Sequence, residues 1–196
     1  MHECFRDNRI WKQFRLIINS KVCKLKTVQV PAQEKTVNVK QKHLLVILFP
    51  TYFFQILNLN SKKVASIGTI GLRYKNQKIP LVNTTADPIQ LSSILHKLWK
   101  KKIEFVIMEA SSHGLEQNRL DGLTFDLGIF TNLSHDHLDY HKNMKKYFNS
   151  KLYLFENLIK KKGNIITDAS IPQAKKIRNI SIKKNINLSL IFNEKR

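Results

Sequence analysis

EASSHGLEQNR (Glu109–Arg119), FDLGIFTNLSHDHLDYH (Phe125–His141) and YFNSKLYLF (Tyr147–Phe155) follow one another closely in this chain. Their reading decides the fold. Directly before the first lies FVIM (Phe105–Met108), a wholly apolar run of the kind expected of a strand covered on both faces. The second opens with another such run, Phe125–Phe130, broken only by Asp126 and Gly128. Each run passes at once into polar residues, and in open α/β sheets ligands bind beyond the carboxyl ends of the strands. Glu109–His113 and Thr131–Asp136 are therefore expected on a binding edge. Clustered titratable groups point the same way: His113, His135, His137 and His141 fall in this window, with Asp126, Asp136 and Asp139.

Outward from that window, strands alternate with helices. Upstream, KVASI (Lys63–Ile67) reads as a short strand running into the glycines of GTIG, Gly68 and Gly71. Asp87-Pro88 is a helix start, a carboxylate cap followed by proline at the first helical position. Leu91, Ile94, Leu95 and Leu98 then give one apolar stripe, ending in Lys100–Lys102. Tyr52, Phe53, Ile56 and Leu57 have helical spacing, terminated by Asn58–Ser61. Downstream, Gly163-Asn164 introduces a strand at Ile165–Thr167, followed by a helix near Pro172–Arg178 and a last strand at Leu188–Phe192. This order predicts an α/β fold, a doubly wound and mostly parallel sheet flanked by helices.

Residues 1–50 carry no sustained period of either kind and are left unassigned, outside a domain expected over 51–196. Leu44–Leu57 (LLVILFPTYFFQIL) is the most apolar run. It is shorter than the roughly 20 residues a bilayer requires and is interrupted by Pro50. No small-residue cleavage site follows it. A buried strand leading into a helix is expected here, and no membrane association.

The chain carries 34 Lys and Arg against 14 Asp and Glu, a formal charge of +20, which invites a nucleic-acid reading. The lysines come in short separated runs (Lys100–Lys102, Lys160–Lys162, Lys183–Lys184) of the kind that complement helix C-termini. No aromatic–basic module accompanies them, so nucleic acid is not the expected partner. Abundant Lys, Asn and Ile are equally what a base-composition bias in the coding sequence produces. Cys4 and Cys23 show no ligand spacing, and a reducing cytoplasm is the expected setting.

Several side chains have chemistry to offer. From Asn143 as N-cap, the positions Met144, Phe148, Lys151, Phe155 and Leu158 repeat at helical steps, which puts Lys151 toward the core. It is either a snorkelling lysine or an amine desolvated enough to react. Glu109 ends one strand and Asp136-His137 follows another; a carboxylate and an imidazole there can converge on a hard cation or simply cap turns. Thr84 and Thr85 precede the Asp87 cap, as a candidate anion site or an ordinary threonine turn. Arg119, beside Gln117 on a loop, can grip a carboxylate in a bidentate fork or stand exposed.

Taken in order, NTTADP, EASSHGLEQNR, FTNLSHDHLDYH and YFNSKLYLF resemble the Mur ligases of peptidoglycan synthesis. Within that family they are most similar to the members that add the third residue to UDP-N-acetylmuramoyl-L-alanyl-D-glutamate. The resemblance runs from Tyr52 onward and matches the central one of the family's three domains. It implies an ATP- and Mg2+-dependent amide ligase, cytoplasmic and monomeric, that joins diaminopimelate or lysine to the D-glutamyl carboxylate through an acyl phosphate. By position it assigns Thr84, Thr85, Ser111, Gln117 and Arg119 to the UDP-muramoyl dipeptide, and Glu109 and His137 to magnesium. It assigns Lys151 to a lysine that the family carbamoylates, which would make it an anionic oxygen ligand. The SSHGLEQNR string speaks against a folylpolyglutamate synthase.

One part of the pattern is missing. The family's phosphate loop, a glycine-rich strand–loop–helix element with Lys and Thr or Ser, belongs just upstream of Tyr52. Here that place reads LLVILFPTYFFQIL, and the first glycine of the sequence is Gly68. The expectation is a truncated or frame-disrupted product with native reading resuming near Tyr52, without ligase activity on its own. The alternative is a non-catalytic remnant that keeps affinity for the UDP-muropeptide.

Overall fold

The structure, a computed structural model, describes residues 41–133 and 138–191. The first element is a helix, α1 (Gln41–Leu59), which carries Pro50 in its interior. The expected strand ahead of this helix is not formed: helical backbone extends through the whole apolar run. Among the described residues no helix is long and apolar enough to cross a membrane.

Strand β1 (Val64–Gly68) is buried at every residue. It pairs antiparallel with β2 (Gly71–Tyr74), which pairs antiparallel with β3 (Gln77–Ile79). The hairpin was not anticipated. Its cues were the two-residue connections Thr69-Ile70 and Lys75-Asn76, with Gly71 at φ +93° and Lys75 at φ +50°. On its other side β1 runs parallel to β4 (Phe105–Met108). Between them in sequence lies α2 (Pro88–Lys100), capped by the Asp87 carboxylate accepting from the Gln90 amide, with proline at its start and Lys97 and Lys100 in its last turn.

Alternation along β1 explains its complete burial. Ala65 and Ile67 face a core built with Leu91, Ile94 and Leu98 of α2 and with Leu115 and Leu120. Val64, on the opposite face, packs with Phe54 and Leu57 of α1. Helices on both faces are what a doubly wound sheet requires.

After the short helix α3 (Ser112–Glu116) comes β5 (Phe125–Phe130). The single-turn helix α4 (Leu138–His141) precedes α5 (Met144–Tyr153), which runs into a π-helical turn at Leu154–Leu158. Then follow β6 (Ile159–Asp168), α6 (Ala174–Lys184) and β7 (Asn187–Ile191). Strands β5, β6 and β7 form a second, wholly parallel sheet in that order. Its core gathers Phe130, Leu152, Phe155, Ile165, Ile177 and Ile180.

The fold is α/β, yet three details depart from the sequence reading. The strands make two sheets, β3-β2-β1-β4 and β5-β6-β7, with no backbone ladder from β4 to β5. As an edge strand β4 is not covered on both faces, and Val106 is exposed. Lys160–Lys162 lie within β6, not at a helix end, because β6 begins well before Gly163. Phe53 of α1 still bridges the two sheets, sharing a cluster with Ile107 of β4, Leu127 and Ile129 of β5, and Ile166 of β6.

Candidate functional site

The carboxyl ends of β1 and β4 lie side by side, since Ile67 is in register with Met108 and the Glu109 amide donates to the Ile67 carbonyl at 2.9 Å. Glu109 is thus placed against the β1–β2 turn. Its Oε2 accepts from both the amide (2.9 Å) and the hydroxyl (3.0 Å) of Thr69. Gly68 permits this approach, because a Cβ there would sit 2.6 Å from that same oxygen. Thr69 Oγ1 also lies 3.1 Å from Thr84 Oγ1, so the turn joins Glu109 to the threonine pair.

Thr85 and Ser111 form the second knot. Thr85 Oγ1 donates to the Glu109 carbonyl (3.1 Å), accepts from the Ser111 amide (2.9 Å) and meets Ser111 Oγ at 3.0 Å. Ser111 Oγ in turn caps α3, accepting from the Gly114 amide at 3.1 Å. Gly114 is required by clearance: a Cβ there would stand 2.6 Å from the Cβ and Cγ2 of Thr85. Thr85 is 1 % exposed, so it holds the site from beneath, whereas Thr84 is only partly buried.

Arg119 donates through Nη1 to the Thr85 carbonyl (2.8 Å) and through Nε to Gln117 Oε1 (2.9 Å), while Gln117 Nε2 donates to the Tyr140 hydroxyl at 3.1 Å. The guanidinium is neither swinging nor merely exposed. Its backbone approach depends on Asn118 at φ +54°, a conformation asparagine tolerates. Thr84, Thr85, Glu109, Ser111, Gln117 and Arg119 are therefore brought together by one hydrogen-bonded network. The sequence reading places Gly68 only as a glycine after the first strand and passes over Thr69 and Gly114; IGT after a buried strand and HG after the serine pair were the available cues.

A second network lies behind the first. His141 is buried, with Nε2 2.9 Å from Ser112 Oγ. Its Nδ1 is 2.9 Å from Glu116 Oε2, close but poorly aligned for a hydrogen bond. The carboxylate beside Nδ1 favours the tautomer with its proton there, which leaves Nε2 to accept from the Ser112 hydroxyl. Ser, His and Glu in this order resemble a hydrolytic triad in distances only: Ser112 is 4 % exposed and presents no nucleophile. What the trio does is fasten α4 to α3. On its other side His141 stacks on Tyr147 of α5, ring centroids 5.1 Å apart, and the Lys151 ammonium lies 4.9 Å from the Tyr147 centroid.

Lys151 occupies the last turn of α5 and is half-buried; the wholly buried positions of that stretch are Tyr147, Leu152, Phe155 and Leu158. Of the stripe read from the sequence, Phe155 and Leu158 are wholly buried, and Met144, Phe148 and Lys151 are half-buried. His137 lies outside the described residues, as do His135 and Asp136. Among the described residues no three His, Cys, Asp or Glu side chains gather as a metal set. Glu109 already shares one oxygen with Thr69, and an ammonium over an aromatic ring is not a cation ligand.

Among the described residues a phosphate cradle is not built either. α1 passes Glu109 with helical backbone on both sides of Pro50, so its amides there serve carbonyls four residues back, and Pro50 has none to offer. A phosphate loop offers the free amides of a helix start. Pro50 and Thr51 face Ser66–Gly71 and Glu109 across a cavity of about 10 Å³, room for about one water.

Comparison with known proteins bears on the same stretch. The family model described as Mur ligase middle domain matches residues 51–196. The chain is similar to UDP-N-acetylmuramoyl-L-alanyl-D-glutamate--2,6-diaminopimelate ligase of Buchnera aphidicola subsp. Schizaphis graminum, 48 % identical over 139 residues, covering 70 % of this chain and 27 % of that protein. It is also similar to the protein of that name from Wigglesworthia glossinidia brevipalpis, 44 % identical over 134 residues, covering 66 % of this chain and 27 % of the relative. A solved structure titled with the same ligase matches with a TM-score of 0.64 at 28 % identity, over 72 % of this chain and 28 % of that one. The chain spans little more than a quarter of the length of these relatives.

Proposed function

This chain belongs to the Mur ligase family, through its middle domain, and from that premise we propose that it is the muropeptide-binding portion of a third-residue ligase. The substrate is UDP-N-acetylmuramoyl-L-alanyl-D-glutamate. The whole ligase would use ATP and Mg2+ to join a diamino acid to the D-glutamyl carboxyl. The relatives are named for 2,6-diaminopimelate, which favours it over lysine. We assign residues 51–196 to the domain and leave 1–50 outside it. Following the family, we place the protein in the cytoplasm as a monomer.

The observation that carries this reading is the network joining Thr69, Thr84, Thr85, Glu109, Ser111, Gln117 and Arg119 at the carboxyl ends of β1 and β4. Residues distant in sequence hold one another there by side-chain hydrogen bonds. Thr84, Ser111, Gln117 and Arg119 meet the ligand, and Thr85 supports them. Glu109, His137 and Lys151, the last as its carbamate, are assigned to magnesium in the whole ligase.

The continuous helix at α1 favours a narrower role for this chain alone: it binds the nucleotide-sugar peptide and performs no ligation. Calorimetry with the UDP-muramoyl dipeptide and, separately, with ATP tests it. Binding of the first without the second is the expected result. ATP binding, or ATP-dependent tripeptide formation by the purified chain, would overturn the narrower role. Failure to bind the dipeptide would overturn the reading of the site.

A further inference from the structure

The hydroxyl–hydroxyl contact between Thr69 and Thr84 has a direction. A hydroxyl has one proton to donate, and a carboxylate oxygen only accepts. Glu109 Oε2 receives both the amide and the hydroxyl of Thr69, at 2.9 and 3.0 Å. The proton of Thr69 is thereby used, and toward Thr84 Oγ1, 3.1 Å away, Thr69 Oγ1 offers only a lone pair. The Thr84 proton must point at Thr69. The chain runs from Thr84 to Thr69 to Glu109, each hydroxyl donating to the next.

From this we propose that Thr69 is a positioning residue that fixes Thr84 as a hydrogen-bond acceptor. Thr84 Oγ1 then meets a donor group of the ligand, an amide N–H or a sugar hydroxyl, and not a phosphate or carboxylate oxygen. Thr84 is therefore not part of an anion site, despite its place ahead of a helix start. Anions of the ligand are left to Arg119 and to backbone amides. The neighbouring Thr85 cannot substitute, since it is buried and its oxygen already serves the Glu109 carbonyl and the Ser111 amide. The inference rests on the muropeptide reading above, and it names which end of a hydrogen bond the site supplies at one position.

The test uses the full chain and the UDP-muramoyl dipeptide, with analogues in which each amide nitrogen is methylated or each sugar hydroxyl removed in turn. Thr69→Val and Thr84→Val should each weaken the parent dipeptide roughly five- to tenfold, the effect of about one net hydrogen bond. Thr69→Ser and Thr84→Ser, which keep the hydroxyl, should each recover most of the affinity that the corresponding valine variant loses. One donor-capped analogue should bind the unaltered chain about tenfold more weakly yet bind Thr84→Val no worse than the parent does. If every analogue loses equally on both proteins, the acceptor role is overturned. An unaltered chain that binds normally, with Thr69→Val indistinguishable from it, overturns the role of Thr69 alone. An unaltered chain that does not bind the dipeptide overturns the muropeptide reading and this inference with it. Amide exchange needs no ligand: Thr69 N–H should exchange slowly, and fast in Glu109→Leu. Fast exchange in the unaltered chain would show that the clamp does not exist.

Discussion

Two corners of this molecule lie against the same strand end and are built in opposite ways. At one, the β1–β2 turn, the residues ahead of α2 and the β4–α3 connection meet through side-chain hydrogen bonds between residues 15 to 40 positions apart in sequence. At the other, α1 passes as unbroken helix, with a proline inside it and about one water's room beside Glu109. The first corner is specific polar chemistry held under tight steric limits, since neither Gly68 nor Gly114 has space for a Cβ. The second is apolar packing: Phe53, Phe54 and Leu57 of α1 are buried against the sheets and secure the fold. The two corners thus draw on different residues, polar side chains at one and apolar helix packing at the other.

The strongest way to break this contrast is through His141. Its ring is 1 % exposed and joins Ser112 of α3 to Tyr147 of α5. His141→Ala removes buried ring volume and leaves the Ser112 hydroxyl without its partner, a loss of about 3 kcal/mol in urea unfolding. Dipeptide binding should fall with it, since α3 carries the cap on Ser111. His141→Gln, which can still meet Ser112, should recover part of both. Full stability in the alanine variant would mean that the network behind the site is ornamental.

Gly114→Ala is a more selective break. The new methyl would meet the side chain of Thr85 at 2.6 Å; that side chain is held through its hydroxyl by Ser111, and the Gly114 amide is held by the Ser111 cap. Overpacking of this kind costs about 1–3 kcal/mol. Its expected signature is a larger loss of dipeptide affinity than of stability, because displacement of Thr85 also moves the carbonyl that holds Arg119. Equal binding by the variant would show that the Thr85–Ser111 knot is irrelevant to the ligand.

How far the sequence foretold this arrangement depends on the kind of signal. Periodicity and caps were enough for β1, α2, β4 and β5: Asp87-Pro88 starts α2, and FVIM and FDLGIF are strands at those bounds. The split into two sheets was not legible, since no local pattern states whether β4 pairs with β5. The hairpin was missed because a four-residue β2 and a three-residue β3 are too short to show a period. In the site, residue types nominated Thr84, Thr85, Gln117 and Arg119, the family resemblance added Ser111, and the structure brings all five together. Thr69 escaped because a lone threonine in a turn carries no signature until its partner, forty residues later, is placed beside it. Lys151 was read as one of an apolar stripe. Phe155 and Leu158 of that stripe are buried, whereas the lysine is half-buried with its ammonium over the Tyr147 ring.

The smallest effect sharpens the same contrast from the far end of α5. The Tyr153 hydroxyl donates to Asp121 Oδ1 at 2.8 Å, and that hydrogen bond, with lesser help from burial and the carboxylate's charge, holds the tyrosine above its ordinary pKa near 10. The fold therefore retains this proton more tightly than the unfolded chain does. Whatever stability the pair contributes is present in full below about pH 10 and is lost as pH rises through the raised value. Absorbance titration of the phenolates should show one tyrosine ionising late in the unaltered chain, and that late component should vanish in Tyr153→Phe. In Asp121→Asn it should move back toward the ordinary range. Asp121 lies on the connection that leaves α3 for β5, so the contact ties the end of α5 to the segment just past Arg119. If Asp121→Asn changes the titration and leaves dipeptide binding untouched, the polar corner is self-contained, held by its own hydrogen bonds and not by the helix that carries Lys151.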